Sequence, residues 1–549
     1  MDFRMICRLL PLALVATAFL PAPSAAATGP VVEAPAGKVE GKASRGMHIF
    51  KGIPYAASPT GKLRWAPPQP LSAWQDVRDA TKFGPACMQP KPRGPSIYAW
   101  DLPAMSEDCL SLNIWAPEDA SNAPVFLWIH GGSLTTGSGG DPLYDGSALA
   151  ERGMVVVSIN YRLGALGYFA HPALSAESAD GVSGNYGLLD QIAALAWVKR
   201  NIGAFGGDAG NVTIAGESAG ALSVMYLMAA PDARGLFHKA VAQSAYMVSA
   251  PALREKRNGM VPAEEQGIDL AAKLGASDLA ALRALPAEEI VTTAPANGYF
   301  PFPVIDGKTV PRQLVETFDR NEQAPVPILA GFNAGEIRSL RFLLPKAPAD
   351  AEAYEAAIRA NYGEFADAFL ARYPAKDIDE SMLAATRDAM YGWTSERLVS
   401  NQAALGQPAY LYLFDHGYPA TQQWKLHAFH AAELPFLFDT ASKTPPLWPK
   451  IPDKLAERKL IDAMGDYWTS FARSGRPWAQ GQPDWLPYSE DRAFMHFADE
   501  PHMRHNLFPG TAALHEAVVC RRRAAGDMPW NWNVGVISPP LPPKAEGCQ

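Results

Sequence analysis

The sequence has little cysteine, 5 residues in 549, and no excess of basic charge. Its 48 Lys and Arg stand against 56 Asp and Glu, a formal net charge of −8. So few cysteines exclude a small scaffold held by disulfides alone. The mild acidity argues against a nucleic-acid binder, which needs a basic face. No CxxC pair or Cys/His spacing marks a metal site. No internal repeat or long low-complexity stretch is present. Beyond the N-terminus, no apolar run approaches the ~20 residues that cross a bilayer. The chain has instead 48% hydrophobic and 19% charged residues, an ordinary globular mix with enough apolar surface for a core. Its 49 prolines are scattered and read as loop punctuation.

The N-terminus carries the three parts of an export signal. Arg4 and Arg8 form a short basic start, residues 9–20 are mostly apolar, and small residues follow Pro21 and Pro23. A stretch of about 12 residues is too short to span a bilayer. The reading is a signal peptide over 1–27, cut near Ala26 or Ala27, and an exported protein, periplasmic or secreted, with no membrane segment thereafter. Cys7 leaves with the signal. Cys87, Cys109, Cys520 and Cys548 remain, an even number suited to an oxidising compartment. Four cysteines allow three pairings. The local one joins Cys87 to Cys109 and Cys520 to Cys548.

Short apolar runs predict buried strands at 125–129 (VFLWI), 155–159 (VVVSI), 212–215 (VTIA), 326–330 (VPILA) and 409–414 (AYLYLF). Helical segments at 188–201 and 219–230 lie between them. This alternation predicts an α/β fold, a parallel sheet covered on both faces. Segments 264–285 and 350–390 read as helical insertions above the sheet. The tail after Cys520, rich in Pro and Trp, is expected to lie over the surface.

The strongest chemical signal is Gly216-Glu217-Ser218-Ala219-Gly220, a GxSxG pentapeptide between a strand and a helix. That context pushes a serine hydroxyl out of the sheet on a tight turn, and the glycines permit the sharp backbone. The helix N-terminus behind it favours developing negative charge. The second signal is His130-Gly131-Gly132, directly after VFLWI. Acyl transfer creates an oxyanion that backbone N–H groups stabilise, each worth roughly 3 kcal/mol. The amides of Gly131, Gly132 and Ala219 are the candidate donors.

Longer ordered stretches make a specific resemblance. They are 50–56 (FKGIPYA), 63–65 (LRW), 107–113 (EDCLSLN), 160–164 (NYRLG), 184–191 (GNYGLLDQ) and 205–208 (FGGD). With the GxSxG turn, the sequence resembles the type-B carboxylesterase/lipase family, the α/β-hydrolases that include cholinesterases and bacterial para-nitrobenzyl esterases. The resemblance covers most of the chain after the signal and implies a single α/β-hydrolase domain over 28–549. It also implies a Ser, Glu, His order. The acid falls on Glu336 in 331–336 (GFNAGE), although Gly335 and Ile337 depart from the family's usual G-x-N-x-D-E-G. Asp306 and Asp415 are the fallbacks. The base falls on His430 in 430–438 (HAAELPFLF), with His427 as rival. A metal set of His427, His430 and Glu433 explains less of the chain. Glu217, beside the serine, is a candidate for positioning the imidazolium or a water, while the resemblance places Ser244 near the histidine–glutamate pair and implies a Cys87–Cys109 disulfide.

These roles describe a serine carboxylesterase acting on small-molecule esters, with no metal or organic cofactor. The alternatives are a non-catalytic binding or adhesion relative, or a thioesterase, amidase or lipase. After Gly132 the loop is small and polar (133–140, SLTTGSGG), leaving room for the acyl group. Arg338 and Arg341, after the acid, are candidates for binding a substrate carboxylate.

Overall fold

The valine-, isoleucine- and aromatic-rich runs pair into an 11-stranded sheet. Its strands, numbered here along the chain, are β1 (Lys42–Ser44), β2 (Met47–Pro54), β3 (Ser111–Pro117), β4 (Ala123–Ile129), β5 (Val155–Ile159), β6 (Gly207–Glu217), β7 (Lys239–Gln243), β8 (Ile328–Asn333), β9 (Ala409–Phe414), β10 (Ala493–Phe497) and β11 (Pro501–His505). The order is β11-β10-β9-β8-β7-β6-β4-β5-β3-β2-β1. Pairing is parallel from β5 across to β10. The pairings at both edges are antiparallel. This computed structural model describes residues 29–548 except Arg93, Pro103 and Trp532. The expected signal peptide lies outside the described residues.

The central strands are buried on both faces, which is why they read as unbroken apolar runs rather than as alternation. In β4, Leu127 and Ile129 enter one core while Phe126 and Trp128 enter the other. In β5, Val155 and Val157 face the first and Val156 the second. Helices α1 (Tyr186–Asn201) and α2 (Ala219–Ala229) cover the first face. Every residue of α2 is buried. Helix α4 (Leu455–Ser474) covers the second face through Leu460, Met464, Trp468 and Phe471, spaced three or four residues apart. Helix α3 (Trp393–Ala404) packs on β8 and β9. Fully burying a side chain of this kind contributes roughly 1.5–3 kcal/mol, so the two cores hold the sheet rigid.

The expected strands form with one shift. The run 326–330 pairs only from Ile328, because Pro327 has no N–H to give the ladder. Both expected helical insertions form. The first contains helices Ala263–Lys273, Leu279–Ala284 and Ala287–Ala296. The second contains Ala351–Tyr362, Ala366–Arg372 and Ile378–Arg387, then a π-helical turn at Asp388–Gly392. The tail after Cys520 does not lie wholly over the surface as expected. Trp530 is fully buried, edge-on to Trp393, and Asn531 Nδ2 donates to the Met247 carbonyl. That part of the tail is core. Disulfides join Cys87 to Cys109 and Cys520 to Cys548.

Candidate active site

Parallel strands carry their C-terminal ends to one edge of the sheet, and ligand sites in such sheets form there. β4 ends into His130-Gly131-Gly132, β6 into Ser218, β7 into Ser244, and β8 into the loop bearing Glu336. Four segments distant in sequence therefore meet beneath one cavity of about 1080 Å³.

Ser218 sits at φ 56°, ψ −120°, in the left-handed region that a non-glycine residue adopts only under constraint. Its N–H donates to the Gln243 carbonyl (2.9 Å) and its carbonyl accepts from Leu222 (2.9 Å). The flanking glycines are sterically required. A Cβ on Gly216 would stand 2.5 Å from the Gly220 carbonyl carbon, and one on Gly220 would stand 2.0 Å from the Ile129 carbonyl oxygen. The serine lines the cavity at 8% exposure. Gly131 and Gly132 line it too. Gly132 (φ 102°), Ser133 (φ 56°) and Leu134 (φ 57°) coil the loop tightly beside the Ser218 turn. A Cβ on Gly131 would meet the Glu217 carbonyl at 2.8 Å, so glycine here lets the two loops touch.

His430 is buried between two carboxylates. Its Nδ1 is hydrogen-bonded to Glu336 Oε2, and its Nε2 lies 3.1 Å from Glu217 Oε1. Burial alone lowers the imidazole pKa, but the Glu217 and Glu336 charges outweigh it and raise the value to about 9. Burial pushes the Glu217 carboxyl up to about 8 against the pull of His430. Glu336 has no solvent exposure. Its Oε1 accepts from Ser244 Oγ (2.6 Å) and the Asn333 N–H (2.8 Å). A second buried carboxyl, Glu433, accepts from Gln243 Nε2 (2.9 Å) and Asn333 Nδ2 (2.6 Å). Burial raises its pKa. Asn333 thus braces both acids, one through its backbone and one through its side chain.

The rival residues lie in other arrangements. His427 Nε2 pairs with Asp415 Oδ1 (2.6 Å), whose other oxygen takes His496 Nε2 (2.8 Å). Asp306 holds a turn through the N–H groups of Lys308 and Val310 and through Asn185. With His427 on Asp415 and Glu433 on two amides, the conceivable metal set is not assembled around His430. The departure at 335 has a local cause. Gly335 N donates to the Ala428 carbonyl (2.8 Å), and a Cβ there would meet the Leu426 and Ala428 oxygens at 2.7 and 2.8 Å. The glycine lets the acid loop run against the histidine loop. Arg338 and Arg341 line the cavity, but their guanidinium groups pair with Glu380 and Asp379. Three cavity-lining residues have no motif in the sequence: Tyr98, whose hydroxyl meets the His430 carbonyl, Gln89, which pairs with the Gly137 backbone, and Tyr391, whose ring lies 5.5 Å from the His430 ring. They are visible only once loops distant in sequence are folded together.

The model of the carboxylesterase family matches residues 28–514. The chain belongs to the carboxylesterase family. Among curated relatives, fumonisin B1 esterase of Sphingopyxis macrogoltabida is 36% identical over 483 residues, covering 84% of this chain and 85% of the relative. Para-nitrobenzyl esterase of Bacillus subtilis is 35% identical over 476 residues, covering 84% and 94%. A solved PNB esterase superposes with a TM-score of 0.77 at 32% identity, over 89% of this chain and 99% of its own. The Geobacillus stearothermophilus carboxylesterase gives 0.75 at 34%, over 88% and 99%. This carboxylesterase has the α/β-hydrolase fold of those neighbours and is a carboxylic-ester hydrolase acting on small-molecule esters.

Proposed function

We propose that the protein is an exported serine carboxylesterase working through Ser218, His430 and Glu336 and an acyl-enzyme. The observation that carries this reading is the buried His430–Glu336 pair, whose Nε2 lies 3.1 Å from Glu217, the residue before Ser218 in the cavity lining. A neutral serine is a weak nucleophile and needs a base. His430 Nε2 takes the Ser218 proton as Oγ attacks the ester carbonyl carbon. Glu336 holds Nδ1–H, fixing the tautomer and stabilising the imidazolium. The carbonyl oxygen becomes an oxyanion held by the Gly131, Gly132 and Ala219 amides. Collapse breaks the bond to the leaving oxygen, which takes the proton from His430. Water deprotonated by the same histidine then attacks the acyl-enzyme; collapse breaks the acyl bond to Ser218 Oγ, which takes the proton back from His430 as the acid is released. The Ser218–His430 hydrogen bond requires Nε2 to turn from Glu217 to the serine. Such bonds commonly tighten only with substrate in place.

Tying Glu336 through Ser244 and Asn333 leaves it little freedom, so Ser244 is read as a positioning group. Glu217 sets the proton affinity of the base. Because an imidazolium cannot accept a proton, kcat/KM is expected to rise with pH as His430 deprotonates. Glu217→Gln removes a negative neighbour, lowers the histidine pKa, and is expected to move that limb to lower pH. A pH profile of kcat/KM on one ester checks this; an unmoved limb would separate Glu217 from the base.

The cavity lies at the upper end of the size range for small-molecule sites and accommodates a bulky ester. The relatives' names fit that breadth, one acting on fumonisin B1 and another on para-nitrobenzyl esters. A panel of para-nitrophenyl esters of increasing acyl length, with the matching anilides and thioesters, tests the ester reading. Turnover of esters above the rest supports it. Preferential turnover of anilides or thioesters would replace it, and no turnover by the folded protein would favour a binding role.

Residues 28–549 are read as one unit. The leader pattern at 1–27 and two disulfides support export. N-terminal sequencing of the exported protein is expected to begin within a few residues of Thr28; a start at Met1 would contradict cleavage.

A further inference from the structure

The Cys87–Cys109 disulfide closes a loop with a sequence separation of 22. That loop forms one wall of the cavity through Pro90, Ile97, Tyr98 and Trp100, among others. Two of its attachments reach the loops of the candidate site. Near its start, the Gln89 side chain makes a reciprocal pair with the backbone of Gly137, at the far end of the oxyanion loop. Nε2 donates to the carbonyl (2.9 Å), and the Gly137 N–H donates to Oε1 (2.9 Å). Near its middle, the Tyr98 hydroxyl lies 2.9 Å from the His430 carbonyl oxygen and 2.7 Å from Ser339 Oγ. Ser339 caps the short turn Glu336–Arg338 that carries the acid.

A phenol has one proton, and a carbonyl only accepts. Tyr98 must therefore donate to His430, and the Ser339 hydroxyl must donate to Tyr98. One oxygen joins three segments in a fixed polarity: the disulfide loop, the acid turn and the histidine backbone. Burial holds the phenol's pKa well above its ordinary value, so the donor keeps its proton at working pH. The ring packs edge-on to Trp448 (5.9 Å) and against Phe429 (6.4 Å), the residue preceding His430.

We propose that Tyr98 is a positioning residue that latches the disulfide loop to His430 and the acid turn, so that closure of the cavity wall and alignment of the base are one event. This rests on the esterase reading of Ser218 and His430. Tyr98 acts through His430 rather than on substrate, so its loss affects kcat more than KM. Phenylalanine keeps the ring packing and removes only the hydroxyl. On a short para-nitrophenyl ester, Tyr98→Phe is expected to lower kcat about three- to tenfold, the worth of one hydrogen bond. KM should stay within about twofold. Ser339→Ala is expected to cost less, and the double variant no more than Tyr98→Phe alone, because Ser339 acts through the phenol. An unchanged kcat in Tyr98→Phe, fully additive losses, or a loss that follows the melting temperature would overturn the latch. Ser218→Ala serves as the control. If it hydrolyses the ester like the wild type, the esterase reading falls; if it is inactive, an unaffected Tyr98→Phe removes the latch alone.

Discussion

Ser218→Ala is expected to lower kcat on a short para-nitrophenyl ester by at least about ten-thousandfold while leaving the fold intact. The size of the effect follows from what is removed and what stays. The hydroxyl is the only atom lost, and with it the covalent route. The cavity and the amides of Gly131, Gly132 and Ala219 remain, so a residual rate above water is expected rather than none. Stability should barely change. The strained φ of 56° is as unfavourable for alanine as for serine, and the backbone bonds to Gln243 and Leu222 do not use the side chain. A melting temperature within a few degrees of wild type makes the kinetic loss interpretable.

The second large effect separates two histidines three residues apart. His430→Ala is expected to abolish turnover, and His427→Ala to leave it near normal. His430 is buried between Glu217 and Glu336 and lines the cavity. His427 has a side chain 41% exposed and is paired with Asp415, whose other oxygen is on His496. Removing the His430 imidazole takes away the base and leaves two buried carboxyls without their common partner, so some loss of stability should accompany the loss of rate. The His427 pair is partly solvated, and breaking it costs little. Comparable turnover in both variants would remove His430 from the base position.

The Ser218 turn and the glycine loop at 130–132 were legible in the sequence because each is a contiguous motif at the end of a strand buried on both faces. Such strands appear as uninterrupted apolar runs, and the chemistry follows the last apolar residue. Glu336 and His430 were reachable only through resemblance, since a single carboxyl or histidine carries no local pattern. Strand β7 (KAVAQ) escaped notice because its small residues give a weak apolar signal, although it seats Ser244 beneath Glu336. The bracing of two acids by Asn333 links positions 100 residues apart. Tyr98 and His430 are separated by 332. No periodicity reports such pairs. The tail misled for a different reason: Pro and Trp together suggested a surface strap, but burying a large aromatic ring outweighs local chain irregularity, and Trp530 enters the core.

The most direct test of Ser218 as the nucleophile is covalent. The protein, treated with a fluorophosphonate and digested, is analysed by mass spectrometry for the modified peptide. One adduct is expected, on the peptide containing Ser218, with ester hydrolysis lost in proportion to labelling and no adduct in Ser218→Ala. Stoichiometric labelling at another residue, or full hydrolysis remaining after Ser218 is blocked, would contradict it.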